Sequence, residues 1–358
     1  MTPGARPGGA IVRVDVLYTG GTFGMADHGA GMSPRSGLGA EIAELVGEFV
    51  AETGITVDLR YDELDQVIDS ADADAGTAAR IAERVRSGRT AGRAHGVIII
   101  HGTDTMAYVG ARLAFELWDS AVPIVLTGAQ IPLGQPGSDA RANLHLALRS
   151  LAAQLDPSTS LAFGSGLHPA VRASKRAVDE YAGFMTVRAA TPPAAPVTLP
   201  ATAGGPGGPV GLLTVFPGLH ADLLEAALRH YHGGLVLECY GSGTAPMSDP
   251  ALLAAVRRAS ERGTPILVIT QCDSGAVDLA RYQPGRALLE AGAVSGGDMT
   301  REAALAKLSY LVERGYSGPQ LRRQLTTNLL GELSDPLAAV PIPSAKADIP
   351  SRDRSSVV

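Results

Sequence analysis

Residues 96–118 read GVIIIHGTDTMAYVGARLAFELW. From Gly96 to His101 the text is an apolar run without polar alternation, and from Asp104 to Trp118 apolar residues recur at helical spacing. An unbroken short run fits a strand buried on both faces, and a helix directly after it fits a crossover that lies against the sheet. The same handover recurs along the chain. Further strand-like runs stand at Ile11 to Tyr18, Pro123 to Thr127, Leu161 to Gly164, Val210 to Phe216, Gly234 to Tyr240 and Pro265 to Gln271. Helical patterns follow at Asp139 to Leu155, Ala221 to Tyr231, Asp249 to Arg262 and Asp298 to Arg314, most of them opened by an Asp suited to N-capping. The alternation predicts an α/β protein whose parallel strands are covered by helices on both faces.

With 358 residues the chain exceeds most single cores, which predicts two domains. The text TPPAAPVTLPATAGGPGGP, residues 191–209, is too rich in Pro and Gly for a helix or a central strand, and it is read as a linker. That divides the chain into a larger N-terminal domain, 1–190, and a smaller C-terminal domain, 210–335. A tail at 336–358, with Pro, Ser and charge but no periodicity, is expected to be poorly ordered.

Thirty-six acidic residues against 30 basic ones, with no basic block, disfavour a nucleic-acid partner and an anionic membrane surface. No stretch approaches the roughly 18 apolar residues of a membrane span. The opening MTPGARPGGA has no apolar core of a signal peptide, so the cytoplasm is the expected location. Cys239 and Cys272 lie far apart and form no CxxC pair, which predicts reduced, mostly buried thiols. Eight histidines include no HExxH, and His230 and His232 would point to different sides of a helix. No metal and no cofactor are expected.

In an open parallel sheet, ligands bind beyond the carboxyl ends of the strands, where adjacent loops part. Three such loops share an odd composition: Thr19-Gly20-Gly21-Thr22, His101-Gly102-Thr103-Asp104-Thr105 and Thr127-Gly128-Ala129-Gln130. Glycines let backbone N–H groups approach a ligand closely, and a helix N-terminus favours a developing oxyanion. A phosphate would use the same groups, but no GKS or GKT follows and Gly20 to Gly24 does not match GxGxxG. A threonine hydroxyl needs a base to act as nucleophile. Lysines are few, and Lys175 sits in the arginine-rich segment Val171 to Arg176, although spacing alone does not single it out.

TGGTFG (19–24), HGTDTMAY (101–108), VPIVLTGAQIPL (122–133) and GGDMTREAALAKL (296–308) resemble the L-asparaginase/glutaminase family, and the bacterial type I, cytoplasmic enzymes in particular. The likeness runs from about Ile11 to Leu333. It implies an amidohydrolase that releases aspartate and ammonia from L-asparagine. Thr22 matches the family's nucleophile; read alone, it is a turn residue. Thr103, Asp104 and Lys175 match a second constellation of hydroxyl, carboxylate and amine, in which Thr103 orients the attacking group and Lys175 relays a proton. Without the likeness Asp104 reads as a helix N-cap. For a zwitterionic substrate, the family pattern gives the ammonium to Asp104 and the α-carboxylate to Ser70. Ala129 is to offer its carbonyl to the leaving amide, and Gly21 and Gly102 line the pocket.

One departure stands out. The family's loop tyrosine aligns with Met32, in Gly29-Ala30-Gly31-Met32-Ser33-Pro34, and a thioether cannot pass a proton. Ser33, a water or a tyrosine from elsewhere could take that role, or turnover could be weak. The likeness further implies a homodimer or homotetramer, with Thr244 and Cys272 near an interface and Cys272 near an effector site, against the plain reading of a buried thiol. Three other functions stay open: a glutaminase or broader amidase, an amidotransferase subunit, and an amino-acid-binding protein without turnover.

Overall fold

The computed structural model describes residues 11–29, 31–88, 94–193, 199 and 207–334. Its first half contains β1 (Val12–Gly20), a hairpin of β2 (Met25–Asp27) and β3 (Met32–Pro34), α1 (Gly39–Thr53), β4 (Val57–Ile68), α2 (Thr77–Gly88), β5 (Gly96–Ile100) and α3 (Met106–Glu116). Next come β6 (Ile124–Thr127), α4 (Ala140–Ala152), β7 (Thr159–Phe163), β8 (Gly166–Pro169), β9 (Ala173–Lys175) and β10 (Phe184–Thr186). The second half contains β11 (Val210–Thr214), α5 (Ala221–His230), β12 (Gly234–Cys239), α6 (Pro250–Glu261), β13 (Ile266–Thr270), α7 (Gln283–Glu290), β14 (Val294–Ser295), α8 (Arg301–Glu313) and α9 (Gly318–Thr326).

The larger sheet runs β4-β1-β5-β6-β7-β8, parallel except for β8 at the edge. From β1 the chain moves outward to β4, then returns to the other side of β1 with β5. The strand order therefore reverses between β1 and β5, and the crevice of a doubly wound sheet opens there. Strands β5, β6 and β7 are buried at every residue, which explains their unbroken apolar text. One face packs Ile42, Leu45 and Phe49 of α1 and Leu144 and Leu148 of α4 over Val14, Val16 and Ile98. The other carries α2 and α3.

A smaller parallel sheet, β11-β12-β13-β14, builds the C-terminal domain. Helix α8 packs between that sheet and α3, so one apolar cluster runs from Leu113 and Phe115 through Leu308 and Leu311 to Val236 and Ile269. Burial all round explains why α8 has no clean apolar stripe. Charges caught in this seam are paired: Arg112 meets Glu116 at 2.7 Å and also Glu313, and Lys307 meets Glu332 at 2.7 Å with both side chains wholly buried.

Several expectations need correction. Helices α1 and α2 and the edge strand β4 stand where no element was read; β4 is half-exposed, so its charged text VDLRYDELDQVI lacks an apolar run. His232 lies past the end of α5, so the two histidines do not share that helix. Helix α8 starts at Arg301, not at Asp298. Most of the proposed linker, residues 194–198 and 200–206, and the tail 336–358 lie outside the described residues. No helix among the described residues is long and apolar enough to cross a membrane.

Candidate active site

The loop leaving β1 wedges between the ends of its two neighbours. Gly21 donates its N–H to the Ile68 carbonyl at the end of β4 (2.9 Å). On its other side a Cβ would lie 2.1 Å from the Gly102 Cα, and φ is +80°, a conformation that suits glycine. Thr22 follows at once, half-buried, at the start of a 3-10 turn. Gly102 is equally constrained: a Cβ there would lie 2.4 Å from the Ser70 hydroxyl. Ser70 is 2% exposed, and its carbonyl accepts from the Thr105 hydroxyl at 2.8 Å. The loops that carry Thr22, Ser70 and Thr103 are thus held against one another at Gly21 and Gly102, with no room for a side chain on either glycine.

Lys175, at the end of β9, closes the other wall. Its ammonium donates to the Thr103 hydroxyl (2.9 Å) and to the Asp104 carboxylate (2.7 Å). Thr103 is buried, Lys175 keeps 18% of its side chain exposed and Asp104 61%, so the trio runs from protein interior to solvent. The Thr103 hydroxyl proton points to Gln130 Oε1 (3.3 Å), while Gln130 Nε2 reaches the carbonyls of Ala177 and Glu180. Asp104 does not cap α3. Thr105 occupies the N-cap position, which leaves the Asp104 carboxylate free for Lys175.

Ala129 is fully buried in the loop after β6. Asp139 pins that loop by accepting from the N–H groups of Gln130 (2.9 Å) and Ile131 (3.0 Å), and Asn143 Nδ2 holds the Gly128 carbonyl at 3.0 Å. His101 sits behind both threonine loops, wholly buried, with Nδ1 2.7 Å from Thr19 Oγ1 and Nε2 3.4 Å from Thr105 Oγ1. Since the Thr19 hydroxyl donates to the Ile100 carbonyl (3.0 Å), Nδ1 carries the ring proton in this network. Burial lowers the His101 pKa to about 4, so the ring is neutral at physiological pH.

Met32 lies on β3, opposite Asp27 of the hairpin, and is 40% exposed. Two tyrosines border the site. Tyr18 ends a buried row on β1, with its hydroxyl unpaired against Gly24, and the Tyr181 hydroxyl donates to the Gly137 carbonyl at 2.8 Å.

Comparison with known proteins now decides the family. Residues 13–197 match the family described as Asparaginase, N-terminal, and residues 209–325 match the Glutaminase/Asparaginase C-terminal domain. The chain belongs to the asparaginase family. L-asparaginase 1 of Escherichia coli (strain K12) is 34% identical over 342 residues, which cover 89% of this chain and 97% of that protein. The 60 kDa lysophospholipase of Homo sapiens is also 34% identical, over 93% of this chain and 63% of its own length. The crystal structure of L-asparaginase I from Vibrio cholerae superposes with a TM-score of 0.76 at 30% identity, covering 91% of this chain and all of that one.

Within this asparaginase fold, Thr244 and Cys272 stand apart from the cluster, on the loops leaving β12 and β13. Thr244 closes a tight turn through a bridge to Tyr240, and its hydroxyl donates to the Tyr240 carbonyl at 3.3 Å. Cys272 is exposed, which corrects the expectation of a buried thiol; Cys239 is buried. Neither cysteine is in a disulfide. No group of three or more His, Cys, Asp or Glu poised to hold a metal occurs among the described residues. Sequence reading missed His101, Gln130, Asp139 and Asn143 as site supports. Gln130 and His101 stood inside the quoted motifs, but their partners lie on other loops.

Proposed function

We propose that the chain hydrolyses the side-chain amide of L-asparagine, with Thr22 as nucleophile. The observation that carries this reading is the Lys175 ammonium bonded to both Thr103 and Asp104, on a rim joined to Thr22 through the contact of Gly21 with Gly102. The Thr22 oxygen bonds to the amide carbon as its hydroxyl proton is taken up, the amide nitrogen receives one proton, and the C–N bond breaks to release ammonia and leave the ester. Water, oriented by Thr103, then cleaves the resulting β-aspartyl ester and restores the Thr22 hydroxyl. Lys175 relays protons through the Thr103 hydroxyl. The half-exposed Asp104 carboxylate receives the substrate ammonium, and the buried Ser70 hydroxyl receives the α-carboxylate. Ala129 offers its carbonyl to the leaving amide. Gly21 and Gly102, lacking side chains, let the two loops close together at the edge of the proposed pocket.

Ammonia release from asparagine and from glutamine, measured on the wild type and on Thr22→Val, tests the proposal. Wild-type release from asparagine with a fall of about a thousandfold or more in the folded variant is the expected result. A Thr22→Val chain that keeps most of its rate removes the nucleophile assignment. Release only from glutamine moves the substrate by one methylene, which a pocket discriminates by roughly 1–3 kcal/mol.

Met32 favours a second reading, a homologue that binds asparagine and turns it over weakly. Restoring a phenol with Met32→Tyr raises turnover if that reading holds. Assembly as a homodimer or homotetramer and a cytoplasmic location belong to the same proposal. The two free cysteines support that location.

A further inference from the structure

Every group given a chemical role above lies before residue 191, yet the segment that carries Lys175 is held from the other domain. Strand β9 has three residues and, among the described residues, pairs only with the equally short β10, so no ladder of the large sheet locates Lys175. Three residues upstream, Arg172 is wholly buried. Its guanidinium donates to the Asp298 carboxylate (3.1 Å), the Asp298 carbonyl (3.0 Å) and the Gly331 carbonyl (2.8 Å). Asp298 is itself fixed by the Ser334 N–H (2.8 Å) and hydroxyl (2.6 Å). A second tie joins the Ser174 hydroxyl to Glu302 of α8 at 2.8 Å.

We propose that the pair of Arg172 and Asp298 is a positioning device for Lys175, so that docking of the C-terminal domain sets where the amine stands. The inference rests on the reading that Lys175 takes part in the hydrolysis. Plain adhesion between the domains does not require this pair, because α3 and α8 already share an apolar seam and the ion pairs of Arg112. What the pair adds is a rigid fork close to the amine: a planar guanidinium with several fixed bonds transmits position better than an apolar contact.

The test uses the full chain carrying Asp298→Asn, with Arg172→Lys as a second variant that keeps the buried charges matched and loses only the fork. Steady-state kinetics on asparagine are combined with carbon-13 NMR of lysine-labelled protein, in which the signal absent from Lys175→Met reports the amine. A fall in kcat of about tenfold to a hundredfold is expected from a small misplacement. KM stays within about twofold of wild type, since the binding groups are untouched. The Lys175 signal shifts away from its wild-type position. Unchanged kcat overturns the proposal, and so does a fall in kcat with the Lys175 signal where it stands in wild type. Lys175→Met separates the two levels of argument. If that chain turns over normally, the functional reading fails; if it is inactive while both clamp variants run at full rate, only the positioning role fails.

Discussion

Gly21 and Gly102 back onto each other so closely that a Cβ on the first would lie 2.1 Å from the Cα of the second. The contact joins the loops of β1 and β5 at the point where strand order reverses. Both obstacles to a side chain are backbone: positive φ at Gly21 and a neighbouring main chain that cannot rotate away. Gly21→Ala is therefore expected to destabilise the fold by roughly 2–4 kcal/mol and to abolish ammonia release. Gly29→Ala is the control, since its φ is also positive (+85°) but nothing lies within 4 Å of the added carbon. It costs about 1 kcal/mol of backbone strain alone. Urea unfolding of the two variants measures the difference.

Lys307 and Glu332 form an ion pair with no exposure on either side. Lys307 also donates to the Leu325 carbonyl at 3.1 Å, and Glu332 accepts from the N–H groups of Leu329 and Leu330. Lys307→Met leaves a buried carboxylate without its counter-charge and is expected to cost roughly 3–5 kcal/mol. Adding Glu332→Gln to that variant is expected to restore part of the loss. A double-mutant cycle by chemical denaturation checks it.

His101 makes stability depend on pH. Its pKa falls from an ordinary 6.5 to about 4 in the folded chain, because burial penalises the charged ring. Above 6.5 the ring is neutral folded or unfolded, and its contribution is complete. As pH falls from 6.5 towards 4 the unfolded chain takes up a proton that the folded chain refuses, so stability drops by up to about 1.4 kcal/mol per pH unit. His101→Gln is expected to show a shallower slope over this window in denaturation series at stepped pH.

The two thiols are expected to separate in reactivity. Cys239 is buried beside Glu238, and burial pushes its pKa up to about 12, whereas Cys272 is exposed. A disulfide reagent at mildly alkaline pH titrates a single thiol in the native protein and the second only after unfolding. Cys272→Ser removes the fast phase.

The buried strands were legible because parallel strands covered on both faces leave continuous apolar text. Helices α1 and α2 were legible in principle: Ile42, Leu45, Val46 and Phe49, and Ala78, Ile81, Ala82 and Val85, follow helical spacing. Edge strand β4 was not, since exposure on one side fills it with charge. The aspartates before helices teach more. Asp249 caps α6 through Ala251 N–H, as its local pattern suggests. Asp104, Asp139 and Asp298 also stand just before helices, yet their carboxylates bind Lys175, the Gln130 loop and Arg172. A local pattern sees only its own segment, and these partners lie up to 126 residues away. The motif residues were likewise readable, while the groups that hold them, His101, Gln130 and Arg172, are defined by contacts between loops.

The lysines of this chain are Lys175, Lys307 and Lys346. Lys307 is sealed in the seam between the domains, and Lys346 falls outside the described residues. Most proteins carry a coat of dispensable surface amines that absorb acylating agents before anything vital is touched. Here arginine supplies nearly all the positive charge, and Lys175, with 18% of its side chain exposed, stands beside Thr103 and Asp104. Grafting polymers or supports through amine chemistry would therefore reach the amine proposed as the proton relay early, and the exposed Cys272 offers the safer handle.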